Sequence, residues 1–248
     1  MATLLEARGV TKSFGALLAV DGVSVGVSAG EVIGIVGANG AGKTTFLNLI
    51  TGYLKPDRGR IVYLGRDITA HPPREITRLG IARSFQIPQL YTSLTVVENV
   101  VVASAAREKR SLRAWAPLRT PAREAEALAL LGPFGLAEHI SRPVSELPEG
   151  GLKLLDIALS TALLPKVLLL DEPTSGVSSS EKFGVMDTLM RIVAERGVTA
   201  IFVEHDMDVV RAYARRVLVF SEGKILADGE PGPVLADPAV RRIVIGWG

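Results

Sequence analysis

The sequence predicts an α/β fold with a β-rich N-terminal portion, a mixed core sheet and a helical subdomain. Three observations lead to this fold class. Short apolar runs alternate with segments of helical periodicity, two of these runs are continuous enough for buried parallel strands, and a glycine-rich stretch joins an early strand to a helix. The chain has 248 residues, 48% of them apolar, so it can bury the core of one large domain.

The first predicted elements are short strands separated by glycines. The segments LLEARGV, LLAVDGVSVGV and EVIGIVG have the apolar, β-branched composition of strands. The helical stretch KTTFLNLI follows them, and Gly52 is placed to end that helix in the left-handed conformation. We therefore expect a strand, a glycine-rich turn and a helix in succession over residues 31–52.

The C-terminal half contains two runs typical of parallel strands covered on both faces. KVLLLDEP and VTAIFVEH are apolar until each ends in polar residues. Apolar residues recur at helical spacing between them, Ser178 and Glu181 have the spacing of a capping box, and Gly197 is placed to close the helix. The segment RVLVFSEGKILADG predicts a hairpin that turns at residues 222–223, and a short helix is expected after Pro238.

The central part of the chain has a different composition. Residues from about 87 to 160 lack strong strand runs and are rich in alanine, arginine and leucine. We therefore expect a single domain over residues 1–248. Its core is formed by residues 1–86 and 161–248, and its helical subdomain by residues 87–160.

The composition excludes several classes of function. The 28 basic and 26 acidic side chains leave a net charge of +2, which gives no general electrostatic basis for binding nucleic acid. There is no cysteine, so disulfides, thiolate metal sites and cysteine nucleophiles are excluded. The N-terminus has no secretory h-region, and the apolar runs are shorter than the ~20 residues of a membrane-spanning helix. We expect an intracellular protein that reaches a membrane only through a partner.

Residues 37–45, GANGAGKTT, match the phosphate-binding pattern G-x-x-x-x-G-K-[ST] and are called the phosphate loop below. They lie between a strand and a helix, as the pattern requires. The glycines let backbone N–H groups approach phosphate, Lys43 is expected to reach the β and γ phosphates, and Thr44 is expected to ligate Mg²⁺. The alternative is a glycine-rich turn with a surface lysine. The expected nucleotide-binding residues are Gly37, Asn39, Gly40, Ala41, Gly42, Lys43, Thr44 and Thr45.

Two acids and a histidine follow the predicted parallel strands. Asp171 and Glu172 come directly after VLLL, and His205 follows AIFVE. Because the carboxyl ends of such strands form the ligand-binding edge, one acid can hold the metal and its neighbour can polarise an attacking water. His205 is expected to sense the γ phosphate, and Gln86 could contact the metal or water. Considered alone, the acid pair could cap a helix and the histidine could be structural.

In this order, the motifs resemble those of the ATP-binding subunits of ABC transporters over nearly the whole chain. GANGAGKTT is similar to the family's Walker A segment, LLLDEP to its Walker B segment, and LPEGG at residues 147–151 to its signature segment. The resemblance implies a P-loop NTPase fold, ATP and Mg²⁺ as cofactors, and a nucleotide-binding core. It also implies that Asp171 supports Mg²⁺, Glu172 is the catalytic base, Gln86 is the Q-loop glutamine and His205 is the switch histidine. Phe14 falls where the family places an aromatic that stacks on adenine.

Three further segments are similar to the branched-chain amino-acid importer ATPases within this family: LGIARSFQIPQLYTSLTVVENVVVA, FVEHDMDVV and VLADPAVRRIVIG. This narrower resemblance implies ATP hydrolysis coupled to solute import. It also implies a subunit on the inner face of the cell membrane that pairs with a second ATPase subunit and with integral-membrane permease subunits.

The signature segment, residues 147–151, departs from the family pattern. The family's serine is Pro148 here, its first glycine is Glu149, and its final glutamine is Gly151. Pro148 suits the first helical position, and Gly150 and Gly151 should leave N–H groups exposed to ATP held by the other subunit. We therefore expect the site completed by these residues to be the weaker of the two. The alternatives are a weakly hydrolysing regulatory subunit and a subunit of an exporter.

Overall fold

The computed structural model describes residues 3–84, 90–107 and 120–245, and within these ranges ten strands and nine helices are found. The strands are β1 (Thr3–Phe14), β2 (Leu17–Ser28), β3 (Val32–Gly37), β4 (Arg58–Tyr63), β5 (Arg66–Asp67), β6 (Ile81–Ser84), β7 (Val167–Asp171), β8 (Thr199–Val203), β9 (Arg216–Ser221) and β10 (Lys224–Gly229). The helices are α1 (Lys43–Ile50), α2 (Pro73–Leu79), α3 (Val96–Arg107), α4 (Pro121–Leu131), α5 (Glu149–Ala162), α6 (Lys182–Glu195), α7 (Met207–Tyr213), α8 (Pro231–Ala236) and α9 (Pro238–Ile245).

The strands form two sheets. The first is antiparallel, with the order β2-β1-β4-β5. The second has the order β10-β9-β3-β8-β7-β6, and it is parallel except for β10, which pairs antiparallel with β9 at the edge. All five residues of β7 and all five of β8 are buried, as their continuous apolar runs predict. The expected α/β fold with a mixed core sheet is confirmed.

Helix α1 lies between the two sheets. Its buried side chains Phe46 and Leu47 belong to one apolar cluster with Val10 of β1 and Ile33 of β3. The rings of Phe46 and Phe220 lie 5.3 Å apart between centroids. Burying a side chain of this size stabilises the fold by about 1.5–3 kcal/mol, so this packing fixes the direction of α1. The N-terminus of α1 is thereby held at the carboxyl end of β3.

The other face of the parallel sheet packs against helices. Leu131 of α4 and Leu155 of α5 share a second apolar cluster with Leu168 of β7 and Leu189 of α6. Within the span predicted as a helical subdomain, residues 87–160, the described part forms α3, α4, most of α5 and three short 3₁₀ turns. The division into a core and a subdomain stays a prediction. In the described ranges, no helix combines the length and apolar character needed to cross a membrane.

Several predicted element ends are confirmed, and one is wrong. Gly52 has a positive φ of 75° after α1, and the β9–β10 hairpin turns at residues 222–223, which both have positive φ. The capping box at Ser178 is not formed, because α6 begins at Lys182 with Glu181 as its N-cap. The Ser178 hydroxyl instead donates to Glu181 Oε2 at 2.6 Å, within a turn that precedes the helix. The helix expected after Pro238 is α9.

Candidate active site

The phosphate loop connects β3 to α1, and steric contacts explain two of its glycines. A Cβ atom at Gly37, where φ is 150°, would lie 2.2 Å from the carbonyl oxygen of Phe220. A Cβ atom at Gly42, where φ is 103°, would lie 2.2 Å from the carbonyl oxygen of Ala19. Both distances are far inside van der Waals contact, so only glycine fits where β9 and β2 approach the loop.

The side chain of Lys43 lies inside the phosphate loop. Its Nζ donates to the carbonyl oxygens of Gly37 at 2.6 Å and Ala38 at 2.9 Å. Burial lowers the pKa of Lys43, whereas the nearby carboxylates of Glu172 and Asp171 act in the opposite direction. No side chain caps the N-terminus of α1, and its first turn contains no acidic residue. The loop therefore offers an ammonium group and backbone N–H groups to an anion such as phosphate.

Asp171 ends β7 with its side chain almost completely buried, 4% exposed. Its Oδ2 accepts a hydrogen bond from Arg83 Nη2 at 2.6 Å. Arg83 Nη1 also donates to Asn48 Oδ1 of α1 at 2.5 Å. The sequence analysis did not single out Arg83, because a lone arginine in a strand belongs to no motif. The carboxylate at the last position of β7 is thus held in one orientation by a buried guanidinium.

Glu172 and His205 are in direct contact. Glu172 Oε1 and His205 Nε2 are 2.9 Å apart, because the two residues follow the carboxyl ends of the adjacent strands β7 and β8. The backbone of Glu172 leaves the strand in the left-handed region, with φ 51°, and its N–H donates to Val203 O at 3.0 Å. A left-handed non-glycine residue costs about 1–3 kcal/mol and is common at functional sites. The geometry gives a carboxylate that a histidine can orient and a proton that the pair can share.

Glu204, next to His205, is a buried acid that the sequence analysis did not select. Its Oε1 accepts from the Thr174 backbone N–H at 2.9 Å and from the Thr174 hydroxyl at 2.7 Å. Burial raises the pKa of Glu204, and the Thr174 hydrogen bonds act against that rise. The contact ties the segment after Glu172 to the end of β8. The sequence did contain a signal for Glu204, because it is an acid directly before the candidate histidine at the end of a predicted strand.

Most of the predicted site residues line one open cleft of about 250 Å³. Its lining includes Leu17 and Ala19 of β2, which the sequence analysis missed because residues of the edge strand carry no motif. Phe14 lies at the cleft with 47% of its surface exposed. The lining residues are Phe14, Leu17, Ala19, Asn39, Gly40, Ala41, Gly42, Lys43, Thr44, Thr45, Glu172 and His205. Asp171 is buried and is not among these lining residues, and Gln86 falls outside the described residues.

The signature segment does not line the cleft of its own chain. Helix α5 begins at Glu149, and Pro148 is its N-cap with ψ 161°, so the prediction of Pro148 as the first helical residue is wrong by one position. The extended ψ is the conformation of a cap and not of a helix. The expected exposure of Gly150 is also wrong, because Gly150 is buried beside Val177, whereas Gly151 is half-buried.

The donors at the cleft are compatible with Mg²⁺. This ion prefers oxygen ligands and usually binds one or two protein groups together with phosphates and water. Thr44 offers a hydroxyl in the cleft, and Asp171 offers a carboxylate at the adjoining strand end. Over residues 3–84, 90–107 and 120–245, no three His, Asp or Glu side chains form a group that could hold a metal ion.

The model of the ABC transporter family matches residues 20–175. Comparisons with individual proteins give three similarities that span most of the chain. The "High-affinity branched-chain amino acid transport ATP-binding protein LivG" of Salmonella typhimurium is 36% identical over 250 residues, covering 98% of each protein. The crystal structure of the ADP conformation of MJ1267, an ATP-binding cassette of an ABC transporter, has a TM-score of 0.89 and 33% identity, covering 100% of both chains.

The third similarity is to a dimeric structure. This is the post-hydrolysis state of the ATP-binding cassette MJ0796 bound to ADP and Pi, with a TM-score of 0.78 and 25% identity over 92% of this chain and 99% of that one. Each of the three similarities therefore extends over at least 92% of this chain.

Proposed function

Since the chain belongs to the ABC transporter family as one of its ATP-binding, ATP-hydrolysing subunits, we propose that it powers the import of branched-chain amino acids. One observation carries the role of ATP hydrolysis in this proposal: residues 39–45 of the phosphate loop, Glu172 and His205 line the same cleft, with the last two side chains 2.9 Å apart. The similarity to LivG proteins over the whole chain supports the choice of solute. The same similarity favours an importer over an exporter.

ATP binds in the cleft through its phosphates. The N–H groups of the loop and of the first turn of α1 surround the β and γ phosphates, and the Lys43 ammonium exchanges its carbonyl partners for phosphate oxygens. The exposed ring of Phe14 stacks on the adenine. Thr44 and Asp171 would hold Mg²⁺, with Gln86 as a further ligand, and the ion would supply neutralisation of negative charge on the phosphates.

Hydrolysis then needs a water in line with the γ phosphorus. The water oxygen forms a bond to that phosphorus, the bond to the bridging oxygen of ADP breaks, and the water proton passes to the Glu172 carboxylate. His205 keeps that carboxylate directed at the water and contacts the γ phosphate. Positioning of the nucleophile and stabilisation of charge are the main contributions a protein can make to this reaction.

The proposed assembly contains a second ATPase subunit and integral-membrane permease subunits. The exposed Pro148 and the half-buried Gly151 complete the ATP site of the second ATPase subunit, and closure of the pair around ATP drives the permease. The chain is then cytoplasmic and peripheral, held at the inner face of the cell membrane by the permease. The solved dimer of MJ0796 with ADP and Pi supports pairing of two such subunits.

The changed signature segment favours a second candidate, a regulatory subunit that hydrolyses ATP slowly. Pro148 offers no side-chain hydrogen bond at the start of α5, and Glu149 adds a carboxylate beside it. Loss of one charge-assisted hydrogen bond costs about 1.5–3 kcal/mol, which slows closure around ATP without abolishing it. The site completed by this segment is therefore the weaker one in either case.

The test is to isolate the membrane complex and measure its ATP turnover with a saturated solute-binding protein. We expect stimulation by leucine, isoleucine or valine and none by aspartate. Stimulation by aspartate alone would reject the proposed solute class. Turnover that is unchanged by Glu172→Gln in this chain would instead favour the regulatory subunit.

A further inference from the structure

Arg83 on β6 connects two elements that carry proposed Mg²⁺ ligands. In the sequence it also comes shortly before a third proposed ligand. Its guanidinium donates to Asp171 at the end of β7 and to Asn48 on α1. Asn48 lies one helical turn after Thr44, so its contact fixes the same face of α1. Gln86 follows Arg83 by three residues. Two of the three proposed ligands, Thr44 and Asp171, therefore belong to elements that meet at this one side chain.

The contacts of Arg83 are short and removed from water. The side chain is 6% exposed, that of Asp171 is 4% exposed, and the two donor–acceptor distances are 2.6 Å and 2.5 Å. Its backbone is also held, because the Ser160 hydroxyl of α5 donates to Arg83 O at 3.2 Å. A buried ion pair of this kind contributes orientation, since its desolvation cost offsets much of its attraction.

The contact with Arg83 gives the two oxygens of the Asp171 carboxylate different roles. Arg83 occupies Oδ2, so Oδ1 is the oxygen left to meet a metal ion or a water bound to it. Mg²⁺ demands nearly ideal octahedral geometry, whereas Ca²⁺ accepts flexible and variable coordination. Fixing the rotamer of Asp171 and its spacing from α1 should therefore matter more for Mg²⁺ than for Ca²⁺.

We infer that Arg83 is a positioning residue that adapts this site to Mg²⁺ by holding Asp171 and α1 in a fixed relation. The inference rests on the proposed ATP-binding function. It assigns Arg83 no contact with ATP, so nucleotide binding in the absence of divalent metal should depend on it only weakly.

The experiment uses the full chain and a fluorescent N-methylanthraniloyl derivative of ATP. Binding is measured in EDTA and then during titration with MgCl₂ and, separately, with CaCl₂. For Arg83→Gln we expect the Mg²⁺ midpoint to rise about tenfold, which corresponds to about 1.4 kcal/mol. The Ca²⁺ midpoint should rise less than about threefold, and affinity in EDTA should stay within about twofold. Arg78→Gln, an exposed arginine on α2, is the matched control and should change none of the three.

Asn48→Ala provides a second variant at a half-buried position. It removes one anchor of the guanidinium, and we expect a Mg²⁺ midpoint raised about threefold with the metal-free affinity retained. If Arg83→Gln fails to fold, this variant decides the question. An unchanged Mg²⁺ midpoint, or an equal loss with Mg²⁺, Ca²⁺ and EDTA, overturns the inference. Failure of the wild-type chain to bind the nucleotide at all would instead overturn the proposed function.

Discussion

Replacing Gly42 by alanine tests whether the phosphate loop needs its close contact with β2. A Cβ atom at this position would lie 2.2 Å from the Ala19 carbonyl oxygen, more than 1 Å short of the 3.4 Å at which ordinary contact begins. The alanine must also adopt φ 103°, a conformation that L side chains rarely occupy. The loop or β2 therefore has to move by about 1 Å, and Lys43, the next residue, moves with it.

The structure allows the effect of this substitution to be worked out for two quantities, the affinity for nucleotide and the free energy of unfolding. Displacing the Lys43 ammonium loses hydrogen bonds to phosphate worth about 1.5–3 kcal/mol, so affinity for the fluorescent ATP derivative should fall by about 10- to 150-fold. Backbone strain of about 1–3 kcal/mol adds to an overpacking cost of about 1–3 kcal/mol. The free energy of unfolding should therefore fall by roughly 2–6 kcal/mol.

The assay pairs nucleotide titration with urea unfolding followed by circular dichroism. Gly22→Ala is the matched control, because Gly22 also has a positive φ of 61° but its Cβ position has no atom within 4 Å. The control should lose about 1–2 kcal/mol of stability and no nucleotide affinity. Wild-type affinity in Gly42→Ala would refute the reasoning about the loop.

Two further predictions concern the signature segment and a buried acid. Pro148→Ser should raise ATP turnover of the intact complex, since it restores a hydroxyl donor worth about 1.5–3 kcal/mol. The control Pro231→Ser, at the start of α8, should leave turnover unchanged. An unchanged rate in Pro148→Ser would contradict the expectation that the signature segment makes one of the two ATP sites weaker. Glu204 has a pKa raised above its ordinary value of 4.5 by burial, so wild-type stability falls as pH rises from 4.5 through the raised pKa. Glu204→Gln removes this loss of stability, so calorimetry should give it a higher melting temperature than the wild type at about pH 8 but not at about pH 4. A higher melting temperature than the wild type at about pH 4 but not at about pH 8 would show that the fold stabilises the charged form of Glu204.

The parts of the site that depend on local sequence were predictable. The phosphate loop follows from a strand, a spacing pattern and a helix within about twenty consecutive residues, and the structure forms all three in that order. Glu172 and His205 were found because the carboxyl ends of neighbouring parallel strands share one edge of the sheet. Their 2.9 Å contact follows from β7 and β8 being adjacent in that sheet.

The remaining contacts depend on partners distant in sequence. Arg83 meets Asn48 and Asp171, which lie 35 and 88 positions away, so nothing near Arg83 in the chain indicates its role. The pairing of β1 with β2 contains several register shifts, and such shifts depend on the packing of the whole sheet. The position of Pro148 as a cap depends on the direction from which the chain enters α5.

ATP turnover by Glu172→Gln, measured in the intact complex, tests the central claim most directly. Glu222→Gln is the matched control, because Glu222 has a similar positive φ, 48° against 51°, but lies in the β9–β10 turn. We predict that Glu172→Gln lowers turnover by about 10²–10⁴-fold and leaves ATP affinity within about twofold, while the control is unchanged. Turnover equal to that of the wild type would show that the cleft does not use this carboxylate as its base.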